Sequence, residues 1–503
     1  MLLIYPPVAK PCEPPAGIAL LAGFLHDHNV PCTLLDANLE GLLSLLETVP
    51  EAADTWGRRA CRGLSDNLAG LKISQLYNNP DRYRRAVADV GRVLDLIGKL
   101  HAVGLSLANY QEQGLSPLRS ADLLQTASDH ENNIFSPYFA TRLPDLIADR
   151  KPEMIGISLN YLSQAVTTFA LVGFLKKNYP GLPVVLGGGL VTSWLSNPDF
   201  GNPFAGLVDH LIGGPGGEQL LSLFDVTDNI KHHSPRYEGL PVADYLAPGL
   251  ILPYAASSGC YWNKCSFCPE RAEGNPYRQI APEQVLVDLR HLVGRHNPRL
   301  IHFLDNAVSP ALMRCLAEQP LGVDWYGFAR VSPELADPDF CGRLRKSGCL
   351  MLKLGLESGD QRVLDKMNKG IDLEMVSQAL TALQNAGIAT YVYLLFGTPS
   401  ESIAEARKTL AFVKRHRDAI TFLNLAVFNM PIGGPEAPAL AVRDFYDGDL
   451  SLYTDFDHPL GWNRKEIRRF LDQEFKRDPD VAAILRRDPP LFTSNHAPFF
   501  IAS

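Results

Sequence analysis

Three cysteines in the middle of the chain lie close enough together in sequence to bind one metal ion or cluster. Cys260, Cys265 and Cys268 form a C-x4-C-x2-C cluster in the segment SSGCYWNKCSFCPE, directly after the apolar run ILPYAAS. Thiolates are ligands for zinc and for iron–sulfur clusters. Packing explains the cluster poorly, because buried cysteines scatter along a chain, as those between residues 315 and 349 do.

Three kinds of metal site, and a site without metal, are the alternatives for these cysteines. A structural zinc site requires a fourth ligand, and the next histidines, His291 and His296, lie in a predicted helix more than twenty residues downstream. A conventional electron-transfer cluster requires four cysteines. Three cysteines on a [4Fe–4S] cluster leave one iron open for a substrate or cofactor, and the spacing favours this interpretation.

Predicted strands and helices alternate over roughly 250–430, the part of the chain that contains these cysteines. The predicted strands are ILPYAAS, IHFLDNAV, VDWYGFARV, CLMLKLGLESGD, IATYVYLLFGTPSES and AITFLNLAVFNM, and a helical pattern precedes each strand from the second onward. Such alternation predicts an α/β fold with a parallel sheet, whose ligands lie at the carboxyl ends of the strands.

A second α/β unit is predicted nearer the start of the chain. Residues 1–38 read as strand, Pro-rich loop, helix and strand, and residues 152–190 repeat that order and end in three glycines. The runs VDHLIGG and EQLLSLF add a further strand and helix. These units predict a doubly wound, Rossmann-like sheet.

A long insertion of about 45–145 separates the two halves of this unit. Its apolar spacing, notably in VGRVLDLIGKLHAVGLSLANYQ, predicts helices, and a loop of such length must have structure of its own. Its mixed charges favour solvated helix faces, with a substrate lid as the alternative.

The domain organisation predicted from these patterns has four parts. They are a Rossmann-like domain at 1–231 that contains the insertion, a linker at 232–249, an α/β barrel at 250–440 and a small, mostly helical C-terminal segment at 441–503. In the last part, His496 is interpreted as a capping or surface residue, with a substrate-facing role as the alternative.

Composition limits the partners and the location. The 503 residues exceed one ordinary core, and the net charge of −8 argues against a general nucleic-acid surface. Nine scattered cysteines are typical of a reducing compartment, so a cytoplasmic location is expected. The run MLLIYPP has no charged leader, and the uncharged stretches contain polar residues at close intervals, so neither a signal peptide nor a membrane span is predicted.

With these features the chain resembles the radical S-adenosylmethionine (SAM) enzymes. Their signature is usually C-x3-C-x2-C with an aromatic residue before the last cysteine; Phe267 fills that position, and the first gap is one residue longer here. The resemblance implies a (β/α)6 partial barrel and a [4Fe–4S] cluster on the three cysteines. It also implies reductive cleavage of SAM to a 5′-deoxyadenosyl radical.

The same resemblance implies which strand ends contact SAM. Glu357 and Ser358 in GLESGD would bond the ribose or amino group, and Arg330 would meet the carboxylate. Gly397 in LLFGTPSE would allow close approach of the adenine. No residue beyond the cluster and SAM is assigned a catalytic role.

The first unit resembles the cobalamin-binding domain of the B12-dependent class of these enzymes. The positions that would line the corrin tail are Ser158, Leu159, Asn160, Gly187, Gly188, Gly189, Gly213 and Gly214. A D-x-H-x-x-G loop, which gives cobalt a histidine in many corrinoid proteins, is absent from the sequence. A Rossmann-like domain without B12 is the alternative.

The resemblance therefore implies a cobalamin-dependent methyltransferase acting on an unactivated carbon. A radical SAM cyclase, rearrangement or oxidation enzyme is the first alternative, and a non-catalytic iron–sulfur or corrinoid carrier is the second. The expected partners are a small-molecule or peptide substrate and an electron donor such as flavodoxin or ferredoxin.

Overall fold

The computed structural model describes residues 1–490 and 496–501. The rest of the predicted C-terminal segment, 491–495 and 502–503, lies outside the described residues. Within the described part, no helix combines the length and apolarity needed to cross a membrane.

The first part of the chain contains a parallel sheet and the helices around it. Its elements are β1 Leu2–Tyr5, α1 Ala16–Asp27, β2 Thr33–Asp36, α2 Ala37–Glu47, α3 Thr55–Arg62, α4 Leu64–Leu71, α5 Ser74–Tyr77, α6 Pro80–Leu100, β3 Val103–Leu105, β4 Tyr110–Glu112, α7 Ser120–Ser128, α8 Ser136–Arg150, β5 Ile155–Ser158, α9 Leu162–Asn178, β6 Val184–Gly187, α10 Gly189–Ser196, β7 His210–Ile212 and α11 Gly217–Ser222.

The first sheet has the strand order β2-β1-β5-β6-β7, with every pair parallel. The four residues of β5, IGIS, are all buried, as expected for a strand covered by helices on both faces. The chain moves outward from β1 to β2 and then returns to the other side of β1 for β5. This reversal is the switch point of a doubly wound sheet, which confirms the predicted fold class.

The insertion is helical from α3 to α8 but also contains an antiparallel hairpin of β3 and β4. The helical prediction for the run that ends at Gln111 was wrong beyond Leu100, because α6 ends there and Ala102 adopts φ 56°. A Cβ at Gly98 would lie 2.6 Å from the carbonyl oxygen of Val103, so this glycine lets the hairpin backbone pack against the helix end.

The second part of the chain forms a six-stranded, all-parallel sheet with outer helices. Its elements are β8 Ile251–Tyr254, β9 Ser257–Ser258, α12 Pro269–Ala272, β10 Arg278–Gln279, α13 Pro282–His296, β11 Leu300–Phe303, α14 Pro310–Glu318, β12 Asp324–Ala329, α15 Pro338–Lys346, β13 Cys349–Glu357, α16 Gln361–Lys366, α17 Leu373–Ala386, β14 Ala389–Phe396, α18 Ile403–Arg415 and β15 Phe422–Val427. The strand order is β15-β14-β13-β12-β11-β8, which is the predicted six-stranded barrel.

The end of the described chain closes this barrel. Its elements are β16 Met430–Pro431, β17 Val442–Asp444, β18 Tyr453–Phe456, α19 Arg464–Phe470 and α20 Pro479–Leu485. The three short strands form an antiparallel sheet that the sequence patterns did not predict. His496 is 2% exposed and stacks on Tyr391 at 4.5 Å, so it packs against barrel strands and is not a surface residue.

Candidate functional site

The cysteine loop leaves the barrel at the carboxyl end of β8. The antiparallel pair β9–β10 brackets the loop, and Gly259 (φ 71°) begins it at a point where a Cβ would lie 2.6 Å from the carbonyl oxygen of Pro276. Asp305, after β11, accepts from the backbone N–H of Ala256 at 3.0 Å and from the Ser257 hydroxyl. Burial raises the pKa of Asp305 to about 6. Two strand ends therefore hold the start of the loop.

A turn after α16, Met367–Gly370, holds the centre of the same loop. The Ser266 N–H donates to the Met367 carbonyl at 2.9 Å, and the Trp262 indole donates to the Asn368 carbonyl at 2.8 Å. Gly370 (φ 65°) packs so closely on Trp262 that a Cβ would lie 2.0 Å from the indole ring. Sequence reasoning missed this turn, although its MNKG run was a signal for a left-handed turn.

The three cysteines are free thiols on this loop. Cys265 is 9% exposed, and Cys260 and Cys268 are half-buried. Burial raises the pKa of Cys268 to about 11 and also raises that of Cys265, although Lys369 and Arg330 oppose the rise at Cys265. A metal that binds these sulfurs must therefore displace protons.

The histidines that a zinc site would need do not lie with the cysteines. Both are on α13, where His296 faces Glu238 of the linker at 3.6 Å and His291 is exposed. The open-site iron–sulfur interpretation requires no fourth protein ligand, so it fits the three thiols better.

Several predicted SAM contacts gather beside the cysteine loop. Glu357 ends β13 at φ 67°, and its carboxylate is 2.7 Å from the Lys369 ammonium. That ammonium also lies 5.6 Å above the ring of Phe267. Arg330 donates to the Lys369 carbonyl at 2.6 Å and lies 4.2 Å above the Trp262 ring. The structure thus places an acid, two cations and two aromatic rings at one edge of the barrel.

Two other predicted SAM contacts, Ser358 and Gly397, lie apart from Glu357, Arg330 and Phe267. Ser358 is fully buried, and its hydroxyl lies 3.3 Å from the Thr409 hydroxyl and accepts from the Asp360 N–H, so its side chain does not reach this edge. Gly397 (φ 87°) follows β14 and donates its N–H to Glu401 at 2.6 Å. Burial raises the pKa of Glu401 to about 8.

A cavity of 590 Å³ lies at the carboxyl edge of the first sheet. Six of the eight residues that sequence analysis assigned to the tail of a corrin line it: Ser158, Asn160, Gly187, Gly188, Gly189 and Gly214. Leu159 and Gly213 lie beside it; Leu159 is fully buried and donates its N–H to the Gly187 carbonyl at 2.7 Å. The opposite wall comes from residues on either side of the cysteines: Ser258 and Gly259 precede the first, and Pro269, Glu270 and Glu273 lie in and just after α12.

Two glycines leave the space that forms the deep part of this cavity. Gly156 in β5 lies under Met1 and Leu3, where a Cβ would come within 2.7 Å of both side chains. Gly188 (φ 108°) leaves space where a Cβ would lie 2.4 Å from the Leu159 carbonyl oxygen. The walls are mainly apolar and the rim is glycine backbone, which fits a long ligand with a flat, apolar end.

A buried chain of polar groups joins the two domains inside the barrel. Lys353 in β13 is 3% exposed, and its ammonium is 3.3 Å from His302 Nε2. His302 Nδ1 is 3.0 Å from the carboxylate of Glu13, which lies in the loop after β1. Burial lowers the pKa of Lys353 to about 8, and Glu13 opposes this shift. Sequence reasoning missed the set because 289 residues separate Glu13 from His302.

Sequence and structure comparisons agree with this geometry. The sequence profile of the Radical SAM superfamily matches residues 254–413. The chain therefore contains a radical SAM domain, for which the superfamily implies a [4Fe–4S] cluster and SAM as cofactors.

Two curated relatives match parts of the chain. An uncharacterized methyltransferase of Pyrococcus horikoshii is 25% identical over 36% of this chain and 40% of its own length. An anaerobic magnesium-protoporphyrin IX monomethyl ester cyclase of Rubrivivax gelatinosus is 29% identical over 30% of this chain and 28% of its own. The chain thus spans less than half the length of these relatives.

A solved structure covers much more of the chain. The radical SAM methyltransferase TsrM from Kitasatospora setae, with cobalamin and a [4Fe–4S] cluster bound, has a TM-score of 0.54 at 16% identity. The match covers 89% of this chain and 77% of that one. The two proteins therefore share the fold of both α/β domains.

Proposed function

We propose that this protein is a cobalamin-dependent radical SAM methyltransferase that acts on an unactivated carbon. One observation carries the proposal: a single cavity is lined on one side by the glycine-rich edge of the first sheet and on the other by the residues that flank the cysteines, Ser258 and Gly259 before the first and Pro269 and Glu270 after the last. Methyl transfer of this kind needs two cofactors that reach one substrate, and this cavity adjoins both expected cofactor sites.

In this proposal Cys260, Cys265 and Cys268 hold a [4Fe–4S] cluster with one open iron. When bound, the cluster and SAM supply a 5′-deoxyadenosyl radical, and methylcobalamin supplies the methyl group. The chain has to bind these groups, orient them and exclude water.

The SAM-facing residues have distinct proposed tasks. Glu357 accepts from the ammonium of SAM, to which its carboxylate is available when Lys369 moves aside, and Arg330 binds the SAM carboxylate. Phe267 contributes to the SAM site as the aromatic ring before the last cysteine. The adenine contact expected at Gly397 is not part of this proposal, because Glu401 accepts its N–H and Ile467 fills the space beside its Cα. Ser358 contributes through its backbone, since its hydroxyl is engaged with Thr409.

The proposed cobalamin site uses the rim and depth of the cavity. Ser158, Asn160 and the glycines of the two turns contact the tail through backbone and small polar groups, while the apolar slot beside Gly156 takes the flat base. None of the described residues that line this cavity is a histidine. This agrees with the lack of the D-x-H-x-x-G loop, so we propose that the protein gives cobalt no histidine.

The substrate is proposed to lie inside the barrel, between the cofactors and Lys353. Glu357 is four positions after Lys353 along β13. At about 3.3 Å per residue, the two lie about 13 Å apart along the strand. This depth suits a small molecule or one side chain of a peptide. The aromatic rings of Phe328 and Tyr393, 5.0 Å apart, line this depth and exclude water from a radical.

The test is anaerobic purification and cluster reconstitution, followed by optical spectra and product analysis. We expect an iron–sulfur band, a cobalamin band and the release of S-adenosylhomocysteine together with 5′-deoxyadenosine. A preparation that binds the cluster but no added cobalamin would contradict the assignment of the first domain.

A second candidate is a radical SAM cyclase or oxidation enzyme, which the similarity to the Rubrivivax gelatinosus cyclase favours. In that case 5′-deoxyadenosine forms without S-adenosylhomocysteine. A carrier that does not turn over would form neither product. A small electron donor of the flavodoxin or ferredoxin type is the proposed partner, and the cytoplasm is the proposed location.

A further inference from the structure

Two histidines and one aspartate converge where residues 226–236 pack against the end of α1. This cluster lies outside the site described above. His28 Nε2 is 3.0 Å from Asp228 Oδ1, and His233 Nε2 is 3.1 Å from Asp228 Oδ2. One ligand atom from each residue lies within 4.8 Å of the other two. The side chains of His28, Asp228 and His233 are 9%, 11% and 2% exposed.

His233 lies between two carboxylates, which creates an electrostatic problem. Its Nδ1 is 2.8 Å from Asp27 Oδ2, and its Nε2 faces Asp228. A neutral imidazole has one N–H and can donate to only one of them. When Nδ1 donates to Asp27, the lone pair of Nε2 faces carboxylate oxygens in a nearly dry environment. A cation between these atoms removes that repulsion.

We propose that His28, Asp228 and His233 bind a divalent metal ion of the zinc class, with Asp27 orienting His233. Zinc accepts imidazole nitrogen and carboxylate oxygen at about 2.0–2.2 Å, which places tetrahedral ligands about 3.3 Å apart. The separations of 3.0 to 3.3 Å from Asp228 to the two imidazoles are close to this value. Magnesium and calcium prefer ligand sets made of oxygen, and this set is mainly nitrogen.

Neighbouring residues hold the proposed ligands in place. Asp27 supplies the carboxylate that commonly holds the second nitrogen of a metal-binding histidine. The Ile230 N–H donates to Asp228 Oδ1 at 2.9 Å, and the Phe24 ring covers the imidazole of His233 at 3.9 Å. These contacts fix the carboxylate and one imidazole before an ion arrives.

The position of the site indicates a structural role. His28 is the residue after α1, while Asp228 and His233 belong to a stretch, 226–236, that has neither helix nor strand. Because α1 starts at the carboxyl edge of the first sheet, it ends at the opposite edge, away from the cavity. The ion would therefore tie the stretch 226–236 to the end of α1 and take no part in the radical chemistry. With three protein ligands, its fourth position would be filled by water and not by a protein group as in a closed structural site.

Zinc binding by the full chain tests this proposal. A parent with Cys260→Ala, Cys265→Ala and Cys268→Ala removes the competing thiols; it is stripped with EDTA, dialysed against Zn²⁺ and subjected to elemental analysis. We expect about one zinc per chain above that of Asp228→Asn, which lacks the central ligand. His26→Gln is the matched control, since His26 is 58% exposed and lies 3.5 Å from Asp27 Oδ1, whereas Oδ2 is the oxygen that faces His233. This variant should leave zinc binding intact.

Two further measurements keep the outcome decisive if Asp228→Asn folds poorly. Asp27→Asn should keep its circular dichroism but weaken zinc binding about 10–100-fold, because only the orienting carboxylate is lost. Zinc should raise the Tm of the parent and of His26→Gln, but not that of His28→Gln.

Two results would overturn the metal site. A parent that takes up no zinc identifies the cluster as a hydrogen-bond network around a protonated His233. Equal zinc uptake by the parent and the Asp228→Asn and His28→Gln variants places the ion elsewhere. Neither result depends on SAM cleavage or cobalamin binding, so each is separate from the proposed function.

Discussion

The cysteine loop and the glycine-lined cavity face each other, yet they are built on opposite principles. The loop is defined by side chains that are present: three thiols within nine residues, held by a turn that wraps Trp262. The cavity is defined by side chains that are absent, at Gly156 and Gly188, and by contributions from both domains. A set of metal-binding side chains can be recognised in a short stretch of sequence. A cavity formed by glycines can be recognised only when the surrounding chain is folded.

The largest expected effect is on the cysteine loop. Cys265→Ala should abolish the iron–sulfur band and all formation of 5′-deoxyadenosine, because a cluster with two thiolates is not held. Cobalamin binding should persist, since the cavity lining lacks Cys265. Optical spectra and product analysis after anaerobic reconstitution measure both effects. Cys341→Ala, at a fully buried cysteine of α15, is the control and should keep the cluster. Loss of both cofactors in Cys265→Ala alone would show that the two regions are not independent.

The converse change fills the cavity. Gly17 in α1 lines it, and a Cβ there would meet only the Ser158 hydroxyl at 3.6 Å, so Gly17→Leu should project into the tail site without backbone strain. We expect cobalamin binding to weaken by about tenfold or more, since even an overpacked core costs about 1–3 kcal/mol. The iron–sulfur band should remain. Gly91→Leu is the matched control, because this helical glycine has open space around it. Equal cobalamin content in the two variants would contradict the assignment of the cavity.

The polar chain inside the barrel gives a pH-dependent effect. The pKa of Lys353 falls to about 8 in the folded chain, from an ordinary value near 10.5. Between these two values the unfolded chain binds the proton and the folded chain does not, so the free energy of unfolding should rise with pH. The rise relative to Lys353→Met should total about 3 kcal/mol. Urea unfolding of both proteins between pH 7 and 10.5 measures it. A constant difference across this range would show that Lys353 titrates normally and is not isolated from water.

The smallest expected effect concerns the turn that holds the cysteine loop. Gly370→Ala should cost about 1–3 kcal/mol, because it combines a positive φ with a collision against Trp262. Gly387→Ala, at a similar φ of 74° but with nothing near its Cβ, should cost only the backbone strain. Thermal unfolding and the yield of reconstituted cluster measure the two variants. If their losses are equal, the contact with Trp262 does not hold the loop.

Much of the fold could be predicted from local patterns. The alternation of apolar strands with amphipathic helices predicted both parallel sheets, because the spacing of apolar residues in each element reflects which of its faces is buried. The hairpin after α6 and the antiparallel sheet of β16–β18 were not predicted. Their strands are two to four residues long, too short for a reliable alternation, and their pairing depends on packing against the rest of the chain.

The candidate site divides in the same way. The cysteine cluster was singled out by its spacing, whereas Glu357 and Arg330 were expected from the resemblance to radical SAM enzymes. The structure places these residues at one edge of the barrel, and their cofactor roles stay a prediction. Ser358 was expected beside Glu357, but β13 ends at Glu357, where the backbone turns at φ 67°. The Ser358 hydroxyl therefore packs against Thr409 of α18 instead. The turn at Met367–Gly370 was missed, because its role depends on contacts with a loop a hundred residues away.

Local patterns were enough to predict a metal-binding cysteine loop and the two α/β units, because thiol spacing and apolar periodicity are local properties of the chain. The folded chain was needed to show that the glycine-rich edge and the residues flanking the cysteines line one cavity. It alone joined Glu13 to His302 and Lys353, and His28 to Asp228 and His233. Each of these sets comes from segments far apart in sequence. Contacts between these segments depend on how whole domains pack, and the local sequence carries no information about that packing.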